Sequence, residues 1–324
     1  MERPITILNL PDSAKLKLES LGFSFIEDIE KYLCRHGKVP PSLEDIFRNH
    51  EILNKIEELQ NISPIESAAE ILKNQEQPIF LFHKGLTNLL NGGLSIGQIT
   101  ELCGPPGSGK TQMCLQFCVD VRIPKELGGS QGEAIFISTD FGFHAERLRQ
   151  ISQSAVDHFN KMISTDNLSS ENDLEKKLTL EKVLQGVKIL EIHKLTNLQK
   201  VIENLGKYFQ RKENSIKLLV IDSFSTPLIV DIEEPGIRGK IALSILQTLN
   251  YLSNKYKFAV VLTNQLTTVL EKKGRSVVKP ALGQVHAHCI HKRVILKENV
   301  AYLTKSIDLP QMFVKFKITN DGIR

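Results

Sequence analysis

Apolar positions in this chain follow two different periods. From QITELCG onward, short runs rich in Ile, Val, Leu and Phe alternate with longer stretches in which apolar residues recur every three or four positions. The runs QITELCG, EAIFIST, GVKILEI, IKLLVID and FAVVLTN read as strands, and the stretches 110–122, 144–161, 195–211 and 237–256 read as amphipathic helices. Such alternation predicts an α/β fold, a mostly parallel sheet with helices on both faces. Three further runs, RVILK, AYLTK and MFVKFKI, follow one another without helices and predict an antiparallel or mixed edge.

Before QITELCG the pattern is helical only. LPDSAKLKLESLGF carries an Asp or Ser cap, apolar residues at helical spacing and Gly22 as a stop, and SFIEDIEKYL, SLEDIF and HEILNKIEEL extend the series. This divides the chain into a small helical domain over 1–62, a linker over 63–84 that includes SPIESAAEILKNQEQP with one short helix, and the α/β core over 85–324. On pattern alone the helical unit reads equally well as a capping bundle without activity. The polar second half of SQSAVDHFNKMISTDNLSSENDLE reads as a surface loop.

Composition narrows the class. With 324 residues, 41% of them hydrophobic, the chain can bury one sizeable core and a small companion. No apolar run approaches the ~20 residues of a membrane span, and MERPITILNLPDS lacks the basic-then-apolar layout of a secretory signal, so the expected setting is intracellular. Five cysteines (34, 103, 114, 118 and 289) argue for reduced thiols rather than a disulfide framework. Cys114 and Cys118, one helical turn apart, suit an apolar helix face better than half a metal site. HAHCIH (286–291), taken as a strand, places His286 and His288 on one face and His291 on the other, a poor metal cage.

The net charge is +4, but it is unevenly spread. From Glu271 to Lys297 there are seven basic residues (272, 273, 275, 279, 292, 293 and 297) against the single acid Glu271, a local +6 that leaves −2 for the rest.

The chemistry concentrates in ELCGPPGSGKTQ. Gly104, Gly107, Gly109, Lys110 and Thr111 satisfy G-x-x-x-x-G-K-[ST] between a predicted strand and a predicted helix, with Pro105, Pro106, Ser108 and Gln112 completing the loop. Backbone amides at a helix N-terminus cradle phosphates; Lys110 would reach the β and γ groups, and Thr111 would hold Mg²⁺. LLVID ends in Asp222, placed to bind that Mg²⁺ as the second carboxylate. Hydrolysis also needs a group that orients water. Asp140, after AIFIST and beside the P-loop strand in the expected sheet, is the candidate, unless it only caps the helix beginning near His144. Gln265, after FAVVLTN, is placed to sense the γ-phosphate and pass its state to the basic segment, or is simply a turn residue.

GPPGSGKTQMCLQF, IPKELGG, FISTDFGFHAERL, LLVIDSFSTP, AVVLTNQLTT, PALGQVHAHCIHKRVIL and KITNDGIR fall in the order and spacing of the RecA-like recombinases of eukaryotes and archaea. The resemblance runs nearly end to end over 85–324 and is strongest to the paralogues that assist the main strand-exchange recombinase, the C-type paralogue above all. NLPDSAKLKLESLGFSFIEDI resembles the N-terminal domain of that paralogue. The resemblance implies a RecA-like ATPase core and a DNA-dependent, weak ATPase using ATP and Mg²⁺. It implies work in homologous recombination and double-strand break repair, on single-stranded or branched DNA, in a complex of several paralogues whose setting is the nucleus, with the cytoplasm as a second. It makes Lys110, Thr111 and Asp222 the phosphate and Mg²⁺ ligands, Arg147 the residue that stacks on adenine, and Gln265 the γ-phosphate sensor. Segments 231–240 and 268–285 correspond to the family's two DNA-facing loops, and phosphate contacts by Lys272, Lys273, Arg275 and Lys279 in the second would give salt-sensitive, sequence-independent affinity for DNA, with a solvated charged loop as the alternative. No aromatic lies in that segment, so base stacking is not expected there. Two departures stand out. The family's catalytic Glu, in T-E-G, is replaced by Asp140 in T-D-F-G, one methylene shorter, which implies slow turnover. Its Phe-x-x-Ala linker motif is matched only by Ile65-Glu66-Ser67-Ala68, which favours pairing with a different paralogue over self-polymerisation. The other readings are a non-hydrolysing ATP-dependent adaptor, a RecA-core helicase and a small-molecule kinase.

Overall fold

A computed structural model describes residues 5–8, 10–60, 67–73, 75–165, 178–211, 215–270, 276–283 and 285–324. By contact density the chain divides into Met1–Gln75 and Glu76–Arg324. The first unit carries α1 (Asp12–Ser20), α2 (Ile26–His36), α3 (Glu44–Asn49), α4 (Ile52–Gln60) and α5 (Ala68–Lys73). Leu18, Ile26, Ile29, Leu43 and Ile52 form its small core. The expected Asp or Ser cap on α1 is corrected: Pro11 occupies the N-cap with no side-chain bond, and Asp12 lies inside the first turn. Proline suits the position because its fixed φ leads into a helix. The helix ends as expected at Gly22, where Phe23 N donates to Leu18 O at 3.0 Å.

The second unit begins with α6 (Lys84–Leu89), β1 (Ile99–Gly104), α7 (Lys110–Asp120), β2 (Glu133–Ser138), α8 (Ala145–Thr165), α9 (Leu180–Gln185) and β3 (Val187–Glu191). It continues through α10 (Leu195–Arg211), β4 (Ile216–Asp222), α11 (Ser225–Asp231), α12 (Pro235–Tyr256), β5 (Ala259–Leu270) and β6 (Ser276–Pro280). β7 (Lys292–Lys297), β8 (Val300–Lys305), β9 (Met312–Lys315), β10 (Ile318–Thr319) and β11 (Gly322–Ile323) complete it. The main sheet runs β3-β2-β4-β5-β1-β7-β8-β9. It is parallel from β3 to β7, and β8 and β9 add the antiparallel edge the sequence predicts.

Period-two burial explains why the strands read as continuous apolar runs. Leu218 and Val220 of β4, Ala134 and Phe136 of β2 and Ala259 and Val261 of β5 join one cluster with Met113, Phe117, Leu148 and Ile151. Their neighbours Leu219, Ile221, Ile135, Ile137, Val260 and Leu262 join a second cluster with Leu198, Ile202, Leu246 and Leu249 on the other face. A sheet buried on both sides has no polar alternation to show.

Four features differ from expectation. β2 does not lie beside β1: β4 and β5 intervene, because chain order does not fix the order of parallel strands joined by crossovers. FAVVLTN continues into a twelve-residue strand, β5, whose far half pairs antiparallel with β6 as a hairpin. HAHCIH is not a strand: Val285–Cys289 is a 3₁₀ turn, with His286 buried and His288 exposed. Within the expected 231–240 loop, residues from Pro235 onward already belong to α12. The polar stretch 166–177 lies outside the described residues.

Candidate functional site

The phosphate loop sits where a right-handed βαβ unit must put it, between the C-terminal end of β1 and the first turn of α7. Gly107 has φ +77°, and a Cβ built there meets nothing within 4 Å, so its backbone faces open space. Gly109 has φ +95°, and a Cβ there would approach Ile318 Cδ1 to 2.7 Å. Gly104 is required for packing, since its Cβ would lie 2.3 Å from Ser108 Oγ. Ser108 Oγ is itself buried without a hydrogen-bond partner. The loop thus has the open backbone and the orphaned hydroxyl that a phosphate cradle provides.

Lys110 Nζ donates to Gly104 O (2.8 Å) and Pro105 O (3.0 Å), which holds the ammonium across the loop. Partial burial lowers its pKa, against the opposing charges of Asp222 and Asp140. Asp222, at the tip of β4, is raised by burial and by Asp140, against hydrogen bonds from Thr111 and Thr263 and the charge of Lys110. Thr263 Oγ1 donates to Asp222 Oδ1 at 2.5 Å. A carboxylate and a hydroxyl oxygen are a hard donor pair, suited to Mg²⁺. The residues fit ATP and Mg²⁺.

Asp140 reaches this site by a route other than the expected one. Ser138 pairs with Asp222 across β2 and β4. Thr139 N donates to Asp222 O at 2.9 Å and Thr139 Oγ1 to Ser223 O at 2.7 Å, locking the end of β2 onto β4. Asp140 follows at once, exposed, with Oδ1 accepting from Gly142 N at 3.2 Å. Its structural bond is to this turn, and α8 begins at Ala145. Beside it Phe141 (φ +57°) stacks on His193 with centroids 3.8 Å apart, a contact with no signal in the sequence.

Gln265 lies opposite Gly104 in the β5–β1 register. Its N–H donates to Ser225 Oγ (3.2 Å) and its Nε2 to Thr226 Oγ1 (3.3 Å), so it is a strand residue and not a turn. Arg147 is pinned: Nε donates to Gln112 Oε1 (2.7 Å), Nη1 to Asn320 O (2.7 Å) and Nη2 to Thr319 O (2.5 Å). Those bonds fasten the β10–β11 hairpin to the first turn of α7 and hold the guanidinium plane beside the loop.

The basic concentration divides. Lys292 is buried, and its Nζ donates to Leu90 O at 2.7 Å and Ser95 Oγ at 3.2 Å. Arg293 Nε binds Glu101 Oε2, and Lys297 lies 3.5 Å from Glu298. The expected single concentration is therefore corrected: two of the seven charges serve the core, because β7 needs its first residues inside. Lys279 faces Thr267 within the β5–β6 hairpin, while Lys272, Lys273 and Arg275 lie outside the described residues. Of the linker match, Ile65 and Glu66 also lie outside them, and Ala68 opens α5.

Sequence reading missed the buried carboxylate of Glu101. Asn264 Nδ2 donates to its Oε1 at 2.8 Å, and His286 Nε2 lies 3.0 Å from the same oxygen. Burial alone would raise its pKa; the His286 hydrogen bond, the Arg293 and His286 charges and Asn264 outweigh burial and hold it at about 2. A folded pKa below the unfolded value of roughly 4.3 stabilises above that value and loses its contribution as pH falls toward 2. Glu101→Gln should therefore flatten acid unfolding between about pH 4.5 and pH 2, followed by circular dichroism against the unaltered chain.

A mostly parallel sheet with this loop, strand-end carboxylate and opposed Gln265 defines the class, a RecA-like P-loop ATPase domain. A sequence model of the Rad51 family matches residues 79–324, and the chain belongs to the Rad51 family. It is 29% identical over 341 residues to DNA repair protein RAD51 homolog 3 of Cricetulus griseus, covering 100% of this chain and 92% of that one. It is 30% identical over 288 residues to DNA repair protein RAD51 homolog 3 of Dictyostelium discoideum (87% and 74%). It is 29% identical over 249 residues to DNA repair and recombination protein RadA of Metallosphaera sedula (74% and 70%). The recombinase resemblance read from the motifs is borne out.

Proposed function

We propose that this chain is an ATP-binding, slowly hydrolysing, DNA-associated Rad51-family protein that acts in homologous recombination and double-strand break repair beside other family members. The relatives named above are DNA repair and recombination proteins, and a nuclear setting follows from that company. Among the described residues no helix is long and apolar enough to cross a membrane. One observation carries the reading: Gln265, opposite the P-loop glycine, lies on the same strand as the hairpin that leads to the basic cluster.

In this reading the loop amides, Lys110 and Gln112 hold the triphosphate, Arg147 flanks the base, and Thr111 and Asp222 hold Mg²⁺. Bound Mg²⁺ would supply charge neutralisation at the γ-phosphate. Asp140 orients water, and Gln265 reads the phosphate. DNA affinity is assigned to the second unit on electrostatic grounds. Met1–Gln75 carries nine Lys and Arg against thirteen Asp and Glu, whereas the remainder is positive. In this assignment the helical domain, residues 1–62, docks partners, 63–84 connects it, and 85–324 forms the ATPase core.

A partner fits the outer edge of the sheet. β3 is the outermost strand on its side, and Ile135, Ile189, Leu190, Val201, Leu205 and Tyr208 line an open cavity of about 310 Å³ beside it. An edge strand offers main-chain hydrogen bonds, and an adjacent apolar cavity takes a single anchor side chain. Ile189 and Tyr208 are 37% and 39% exposed. Ile189→Glu should reduce co-purification with Rad51-family partners at least tenfold by quantitative mass spectrometry while ATP binding persists; undiminished recovery removes this face from the interface.

Hydrolysis measured with and without single-stranded DNA and partners tests the enzymatic reading. DNA-stimulated turnover supports it. The shortened Asp140 favours a second reading, an adaptor in which bound ATP holds an assembly together, and turnover indistinguishable from background under every condition selects it.

A further inference from the structure

We propose that the buried Glu101 carboxylate, shared by Asn264 and His286, is the joint that relays nucleotide binding at Gln265 to the return leg of the β5–β6 hairpin, with His286 as its positioning residue. This rests on the reading of the site given above.

Four separate segments converge on one side chain. Glu101 belongs to β1, three residues before the P-loop; Asn264 to β5, immediately before Gln265; His286 to the 3₁₀ turn after the hairpin; Arg293 to β7. Cys103 faces Asn264 and Gly104 faces Gln265 in the β1–β5 register. Successive side chains on a strand point to opposite faces, so Gln265 can face the phosphates while Asn264 turns inward to Glu101. A strand moves as a unit, and a displacement of Gln265 is felt at Asn264.

Asn264 Nδ2 (2.8 Å) and His286 Nε2 (3.0 Å) share Oε1, while Arg293 Nε holds Oε2. Moving Asn264 therefore alters the oxygen that His286 uses. His286 is fully buried, and its Nδ1 has no hydrogen-bond partner in the structure. Its ring is therefore held at Nε2, by Glu101 Oε1 at 3.0 Å and, at 3.4 Å, by the same Arg293 that binds Glu101. From the other side Lys305 Nζ donates to Ala287 O (2.5 Å) and Ile290 O (2.6 Å), which holds the turn to β8. Ala281 N donates to Gln265 O at 2.9 Å, so the returning leg is also fastened to β5 at the residue next to Asn264.

Stability alone is a weak reason for this arrangement. Replacing a buried ionic cluster by apolar residues of similar volume is often neutral or stabilising. What a shared carboxylate oxygen adds is a dependence of one donor's geometry on the other's.

The test uses the full chain and a fluorescein-labelled oligothymidylate, titrated with ATP·Mg²⁺ and with ADP·Mg²⁺. The unaltered protein should bind the oligonucleotide on the order of tenfold more tightly with ATP, within the usual range of coupling between sites. His286→Leu should retain ATP affinity within about twofold and bring the ATP/ADP ratio of DNA affinity to about one. His286→Gln, which keeps an N–H donor, should restore most of the ratio. Asn264→Ala combined with His286→Leu should be no worse than either alone. Hydrogen exchange on the unaltered chain removes any dependence on how the variants fold: exchange across 285–290 should slow on addition of ATP·Mg²⁺. A full ratio in His286→Leu, or exchange in 285–290 indifferent to ATP that the chain demonstrably binds, overturns the joint. Failure of the unaltered chain to bind ATP or DNA at all overturns the reading of the site instead.

Discussion

Lys110→Ala should lower ATP turnover on the order of 10²–10³-fold, the usual cost of deleting one preorganised donor at a developing charge. The protein should remain folded, since the hydrogen bonds of Nζ go to the loop carbonyls of Gly104 and Pro105 and not to the core. Pro105 is exposed, so its carbonyl can take water when the ammonium is gone. The loss has two sources. A phosphate oxygen loses its charged donor, and Asp222 loses the positive neighbour that offsets its burial. With Lys110 absent the Asp222 carboxyl rises further, so binding of the metal, which requires the carboxylate, weakens as pH falls. Lys110→Arg should fail as well, because a planar guanidinium cannot lie across both carbonyls as a compact ammonium does. Phosphate release and fluorescent-nucleotide binding, each measured across pH, check both parts. Turnover equal to that of the unaltered chain would remove Lys110 from the chemistry.

The strands were legible because their chemistry is local. In β4, Leu218 through Ile221 feed two helix layers alternately, and a segment apolar on both faces has few alternatives to a central parallel strand. The P-loop was legible for the same reason: its glycines answer to local backbone geometry at Gly107 and Gly109. Spatial order of strands is not local. Nothing in AIFIST states that β4 and β5 separate it from QITELCG, so the pattern puts Asp140 beside β1, whereas the structure puts it beside Asp222. The same limit hid Lys292 and Arg293. Their charges count toward a basic segment in the sequence, yet Lys292 ends inside, on Leu90 O, and Arg293 on Glu101. A buried Glu at the third residue of β1 was a usable signal, since a carboxylate inside an apolar strand requires a cationic partner somewhere. The sequence could not say which one.

Asp140→Glu should raise ATP turnover on the order of ten- to a hundredfold, an inversion of the usual direction for a substitution in an active site. Asp140 follows β2, whose end Thr139 locks onto Asp222 and Ser223, so the backbone at this point is fixed. Oδ1 is further held by Gly142 N at 3.2 Å, and Phe141, at φ +57°, fixes the turn between them. A short side chain on a rigid, tethered backbone cannot extend toward a water. One added methylene restores roughly 1 Å of reach, and a displacement of that size can be worth on the order of a hundredfold in rate. Asp140→Ala sets the floor. If Glu exceeds Asp and Asp exceeds Ala, reach limits catalysis and the chain is an enzyme slowed at one residue. If all three stay at background, the carboxylate takes no part in any chemistry, its bond to Gly142 is its whole role, and ATP serves this protein as a structural ligand.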